Sequence, residues 1–188
     1  MSGIGHNGGP TMERGQTWRT YQWRQAQKAM MPKTIPLMVV KMRLKRAAEL
    51  GMDYKAYAAI RQASGRDICG FLFSSNALRI LGAGSARMPA DRSEKLGAVK
   101  DAGRFALVHL PFKPEDVLAA EETIDAATRA PDLRMPWGQM RAHLTGFVRE
   151  RRLVGDQVVV VGDTALEAEW TAAVRAAGYV SAERYFGT

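Results

Sequence analysis

The chain has 188 residues, 46% of them apolar and 24% charged, which suits one core-forming domain with an appendage and excludes a disordered tail, a collagen-like repeat or two ordinary domains. Its net charge of +8 is unevenly placed: residues 1–66 carry 12 Lys/Arg against 3 Asp/Glu, whereas residues 67–188 carry 15 against 16. No apolar run approaches the ~20 residues of a membrane span. The single cysteine, Cys69, excludes a disulfide or cysteine-zinc framework and points to a reducing cytosol.

Residues 1–12, with Gly3, Gly5, Gly8, Gly9 and Pro10, predict a flexible leader. These glycines lack both the preceding strand and the Lys-Ser/Thr ending of a phosphate loop. Residues 13–66 form a basic helical region. Its first helix reaches about Met31, interleaves Trp18, Tyr21 and Trp23 with Arg19, Arg24 and Lys28, and stops at Pro32. The second runs from Thr34 to Gly51, with Leu37, Val40, Leu44, Ala47 and Ala48 as the predicted apolar stripe and Lys41, Arg43, Lys45 and Arg46 pointing elsewhere. The third starts at an Asp53 cap and closes at Gly65. The turn between the last two has the outline of a helix-turn-helix and equally of a helical hairpin.

From residue 67 the pattern alternates strand with helix. The predicted elements are a strand 68–73, a turn Ser74-Ser75-Asn76, a short helix or extended piece 77–81, a helix from about 89 to 103 and a strand 105–110. Helices at about 115–129 and 137–152 follow, then a strand 157–161, a helix 165–177 and a last strand 179–185. Near-continuous apolar strands between helices predict a three-layer α/β sandwich with a mainly parallel sheet, Rossmann-like in kind, over residues 67–188. Ligands of such sheets bind beyond the carboxyl ends of the strands. Three strand ends therefore stand out: Ser74-Ser75-Asn76, His109-Leu110-Pro111 and Gly162-Asp163-Thr164.

The stretch Val158-Val159-Val160-Val161-Gly162-Asp163-Thr164, with Glu167 and the small residues up to Gly178, resembles the last motif of the haloacid dehalogenase-like superfamily. The resemblance extends over about residues 68–188. It implies that Asp163 and Glu167 stand where that family holds magnesium. Gly70 to Leu78 keeps the outline of the nucleophilic strand but has Ser74 and Asn76 in place of the two aspartates. A serine cannot supply the carboxylate that attacks phosphorus, and an asparagine cannot protonate a leaving group. At the family's lysine stands, at best, Arg134, an arginine suited to clamping a phosphate.

Each of these residues also has a structural role open to it. Ser74, Ser75 and Asn76 are suited to capping the next turn, Asp163 to capping a helix, and His109 to simple packing. Two functional classes follow. One is a non-catalytic binding protein, a pseudoenzyme of this superfamily whose basic region engages nucleic acid or an acidic protein surface through Arg19, Arg24, Lys41, Arg43, Lys45 and Arg46, with no cofactor and no membrane partner. The alternative is a magnesium-dependent hydrolase or phosphate-binding enzyme. There Asp163 and Glu167 hold the metal, while Ser74, Ser75, Asn76, Arg134 and Thr164 take the phosphate.

Overall fold

The structure is a computed structural model that describes Trp23, residues 35–82 and residues 84–187. The leader, most of the first predicted helix, and Arg19 and Arg24 lie outside the described residues. Contacts divide the chain into residues 1–40 and 41–188. The second unit thus includes residues 41–66, the carboxyl-terminal part of the stretch read from the sequence as a basic region.

The described elements in chain order are α1 Leu37–Glu49, α2 Tyr54–Ser64, β1 Gly70–Ser74, α3 Ala90–Gly97, β2 Gly103–Val108, α4 Pro114–Ala120 and β3 Ala126–Arg129. They continue with α5 Trp137–Glu150, a 3-10 turn Gly155–Gln157, β4 Val158–Gly162, α6 Ala165–Val174, β5 Gly178–Ser181 and α7 Ala182–Phe186. The five strands are all parallel, in the order β3-β2-β1-β4-β5. From β1 the chain winds outward through β2 and β3, then crosses back to lay β4 on the other side of β1. The crevice between the carboxyl ends of β1 and β4 is the topological switch point.

Both central strands are buried along their whole length, and their side chains divide by the strand period of two. Phe71, Phe73, Val159 and Val161 face one core with residues of α1 to α4 and α7. Leu72, Val158 and Val160 face another with Met140, Leu144 and Phe147 of α5 and Trp170 of α6. Two apolar faces, each covered by helices, make the three-layer sandwich that the alternating pattern predicts.

The helices preceding the sheet are part of this packing. Asp53 caps α2 by accepting the Ala56 N–H at 2.8 Å, and Gly65 ends it in the left-handed conformation, so both predicted signals operate. Tyr57 and Ile60 enter the first core. The predicted stripe of α1 is different: Ala47 is buried and Val40 half-buried, but Leu37, Leu44 and Ala48 are exposed. The inward face is turned toward Arg46. Its guanidinium donates to Asp67 Oδ2 and to the carbonyls of Ile68, Lys100 and Asp101, each at 3.0 Å. An arginine that ties α1 to the entries of β1 and β2 outweighs an apolar stripe made only by spacing.

Two further elements depart from the sequence pattern. Residues 126–129, read as the end of a helix from 115, form the edge strand β3 beside β2. Ala-Ala-Thr-Arg has no strong local preference for a strand, and pairing decides. The predicted strand 179–185 stops at Ser181, whose Oγ accepts the Arg184 N–H at 3.3 Å and starts α7.

Candidate functional site

At the switch point, β1 delivers Ser74, Ser75 and Asn76, β2 delivers His109, and β4 with α6 delivers Gly162, Asp163, Thr164 and Glu167. Ser74 is a cap: its Oγ accepts the Ala77 N–H at 2.9 Å. Ser75 reaches sideways to the end of β2, where its Oγ accepts the His109 backbone N–H at 3.1 Å and lies 3.1 Å from His109 Nδ1. The His109 ring stacks on Trp170, with centroids 5.6 Å apart. Its Nε2 lies 3.7 Å from Glu167 Oε1. In the tautomer that carries its proton on Nε2, that N–H faces the carboxylate and Nδ1 accepts from the Ser75 hydroxyl.

Glu167 is the hub. It is fully buried, yet its carboxylate is surrounded by donors. Asn76 Nδ2 donates to Oε1 at 2.8 Å, and the backbone N–H groups of Asp163 and Thr164 donate to Oε2 at 2.6 and 3.0 Å. Thr164, not Asp163, is the cap of α6, its Oγ1 accepting the Glu167 N–H at 3.3 Å. A carboxylate three residues after a threonine cap is a capping box, and here the same group also pins β1 through Asn76. Gly162 is required for this: a Cβ there would stand 3.0 Å from Glu167 Oε2 and 2.9 Å from Glu167 Cβ.

Electrostatics follow from burial. Removal from water pushes the His109 pKa below its ordinary value of 6.5; the Glu167 carboxylate opposes this and Arg129 adds to it. His109 is therefore neutral near pH 7. Burial, then Glu167 and Asp163, push the Tyr179 hydroxyl up.

Serine, histidine and a carboxylate are the residue types of an acyl-transfer triad, but their arrangement does not support that chemistry. Ser75 is 1% exposed, and its oxygen is committed to the His109 backbone. No reacting atom has a route to it. Nor do the residues fit magnesium. Glu167 directs both oxygens at N–H groups and Asp163 is exposed. Among the described residues no three His, Cys, Asp or Glu side chains gather as a metal site, whereas magnesium prefers several hard oxygens. The Asp163 and Thr164 N–H groups just ahead of α6 already hold an internal carboxylate.

Of the sequence candidates, the structure joins Ser75, Asn76, Thr164 and Glu167 in one network and sets Ser74 as a neighbouring cap. Arg134 is exposed on the loop after β3, its backbone N–H donating to Asp132 Oδ1 at 2.9 Å; no described hydrogen bond or ion pair links its guanidinium to Asp163. Arg46 spends its donors inside the fold. Lys41 and Lys45 are exposed, Arg43 is half-buried, and Lys45 stands 3.8 Å from Glu49. Sequence reasoning missed Arg92, which is buried, donates to the Ala77 carbonyl and lies over the Phe186 ring at 4.4 Å. No local signal marks it, because its partners are 15 and 94 residues away.

The chain matches no protein-family model, no curated protein and no solved structure.

Proposed function

We propose that this protein is a non-catalytic binding protein in which a degenerate haloacid dehalogenase-like α/β domain carries a basic region that engages nucleic acid through its phosphates. The observation that carries this reading is the segregation of charge: residues 1–66 hold 12 basic against 3 acidic residues, and the rest of the chain is nearly balanced. Within the described part of that region, Lys41, Lys45 and Lys55 are exposed. Phosphate contacts of this kind position a partner and add affinity without reading sequence. The closed hydrogen-bond network at the switch point supports the non-catalytic half of the reading, because its serine is buried and its carboxylate is already satisfied.

The test is fluorescence anisotropy of labelled duplex DNA and single-stranded RNA against the full chain and the Lys41→Glu/Lys45→Glu variant. The variant loses about tenfold in affinity or more, uniformly across sequences. Equal affinity of variant and wild type would remove these lysines from the interface. Turnover of any member of a phosphoester panel would favour the hydrolase alternative, and its loss in Asp163→Ala with folding intact would locate that activity.

A further inference from the structure

A second concentration of positive charge lies at the opposite, amino-terminal edge of the sheet. Arg66 follows α2, Arg141 and Arg149 lie on α5, and Arg175 caps α6; all four line one open cleft of about 430 Å³. This falls within the range of small-molecule sites, roughly 300–1,000 Å³. The same cleft has an apolar wall that includes Val148, Leu153 and Val174, with Thr145 as a hydroxyl donor.

Helix ends supply an ordinary reason for arginines here, because α5 and α6 both terminate at the cleft. Magnitudes decide whether that reason suffices. Among the described residues, four guanidiniums against one lining carboxylate, Asp156, leave an excess of three positive charges. Two helix carboxyl termini contribute roughly half a negative charge each, and an excess of about two remains. That matches the charge of a phosphomonoester near neutral pH. Asp156 is divided in its use: Oδ2 holds Arg66 Nε at 3.0 Å, whereas Oδ1 is buried without a described partner. Gly155 shapes the floor, since a Cβ there would lie 1.9 Å from the Val174 carbonyl. The missing side chain lets the turn before β4 close against the end of α6.

We propose that this cleft binds a phosphomonoester with an apolar or aromatic body. Its phosphate sits among Arg66, Arg141, Arg149 and Arg175, and its body lies on the Val148–Leu153–Val174 wall. The arginine forks match phosphate oxygens in pairs. The cleft takes Arg66 from the basic stretch but is lined by none of Lys41, Lys45 and Lys55, so the lysine variant tests the two proposals apart.

Isothermal titration of the full chain with inorganic phosphate, phenyl phosphate and adenosine 5′-monophosphate tests the assignment. Both esters bind saturably and at least about tenfold tighter than inorganic phosphate, since only they use the apolar wall. The Arg141→Ala/Arg175→Asn variant, in which asparagine tolerates the left-handed conformation of Arg175, loses about tenfold or more for the esters while its far-UV circular dichroism and melting temperature are kept. Lys41→Glu/Lys45→Glu leaves ester binding unchanged. Absence of saturable ester binding, equal affinity for inorganic phosphate and the esters, or an arginine variant that loses only duplex DNA would each overturn the proposal.

Discussion

The two edges of the sheet treat polar groups in opposite ways. At the carboxyl edge, where parallel sheets ordinarily present ligands, Ser75, Asn76, His109 and Glu167 are turned on one another and the Asp163 and Thr164 amides are covered by a carboxylate of the same chain. At the amino edge four arginines face an open cleft with one acid among them. Position in a fold marks where a site can be built; whether hydrogen-bonding capacity is left over decides whether one is there.

The largest effect that separates the edges is expected from Glu167→Ala. Removing this carboxylate strands Asn76 Nδ2 and the Asp163 and Thr164 amides, and hydrogen bonds to a charged group contribute about 1.5–3 kcal/mol each without full additivity. Urea unfolding should show a loss of at least about 3 kcal/mol; a near-neutral result would mean that the network does not hold β1 to β4. At the amino edge, Gly155→Ala forces a Cβ against the Val174 carbonyl and is expected to destabilise by about 1–3 kcal/mol. It should also weaken ester binding, whereas Glu167→Ala at a temperature where it stays folded should not.

Within α1 the contrast is between Arg46 and Lys45. Arg46→Ala removes ion pairs with Asp67 and Glu49 and three carbonyl contacts and is expected to cost about 1.5–3 kcal/mol. Lys45→Ala, at an exposed pair with Glu49, should shift stability by less than about 0.5 kcal/mol. Similar values for the two would contradict the division between a fold-tying and a surface cation.

The smallest effect is the pH dependence from His109. Its folded pKa lies below 6.5 because burial disfavours the charged ring, so the unfolded chain binds more protons in the window beneath that value. Stability therefore rises with pH through the window and is lost on acidification. Denaturant midpoints measured across it should flatten in His109→Gln; an unchanged slope would assign the dependence to other groups.

Much of the fold was legible because its signals are local. The Val158–Val161 run and the Asp53 and Gly65 caps act within a few residues of one another, whereas the cap of α6, expected at Asp163, falls one residue later at Thr164. The strand β3 was not legible, since Ala126–Arg129 becomes a strand only by pairing with β2. Of the site, Ser75 and Asn76 were visible at a strand end and Glu167 through the family resemblance, but not that Glu167 bonds across 91 residues to Asn76. The amino-edge cleft collects arginines from residue 66 to residue 175; no spacing rule links positions that far apart.

The binding reading rests on phosphate contacts by the basic region, and its most direct test is the salt dependence of duplex DNA affinity for the full chain. Log affinity is predicted to fall linearly with log salt, and the slope to shrink by about 0.9 for each phosphate contact removed in Lys41→Glu/Lys45→Glu. Affinity that stays constant up to physiological salt would contradict it.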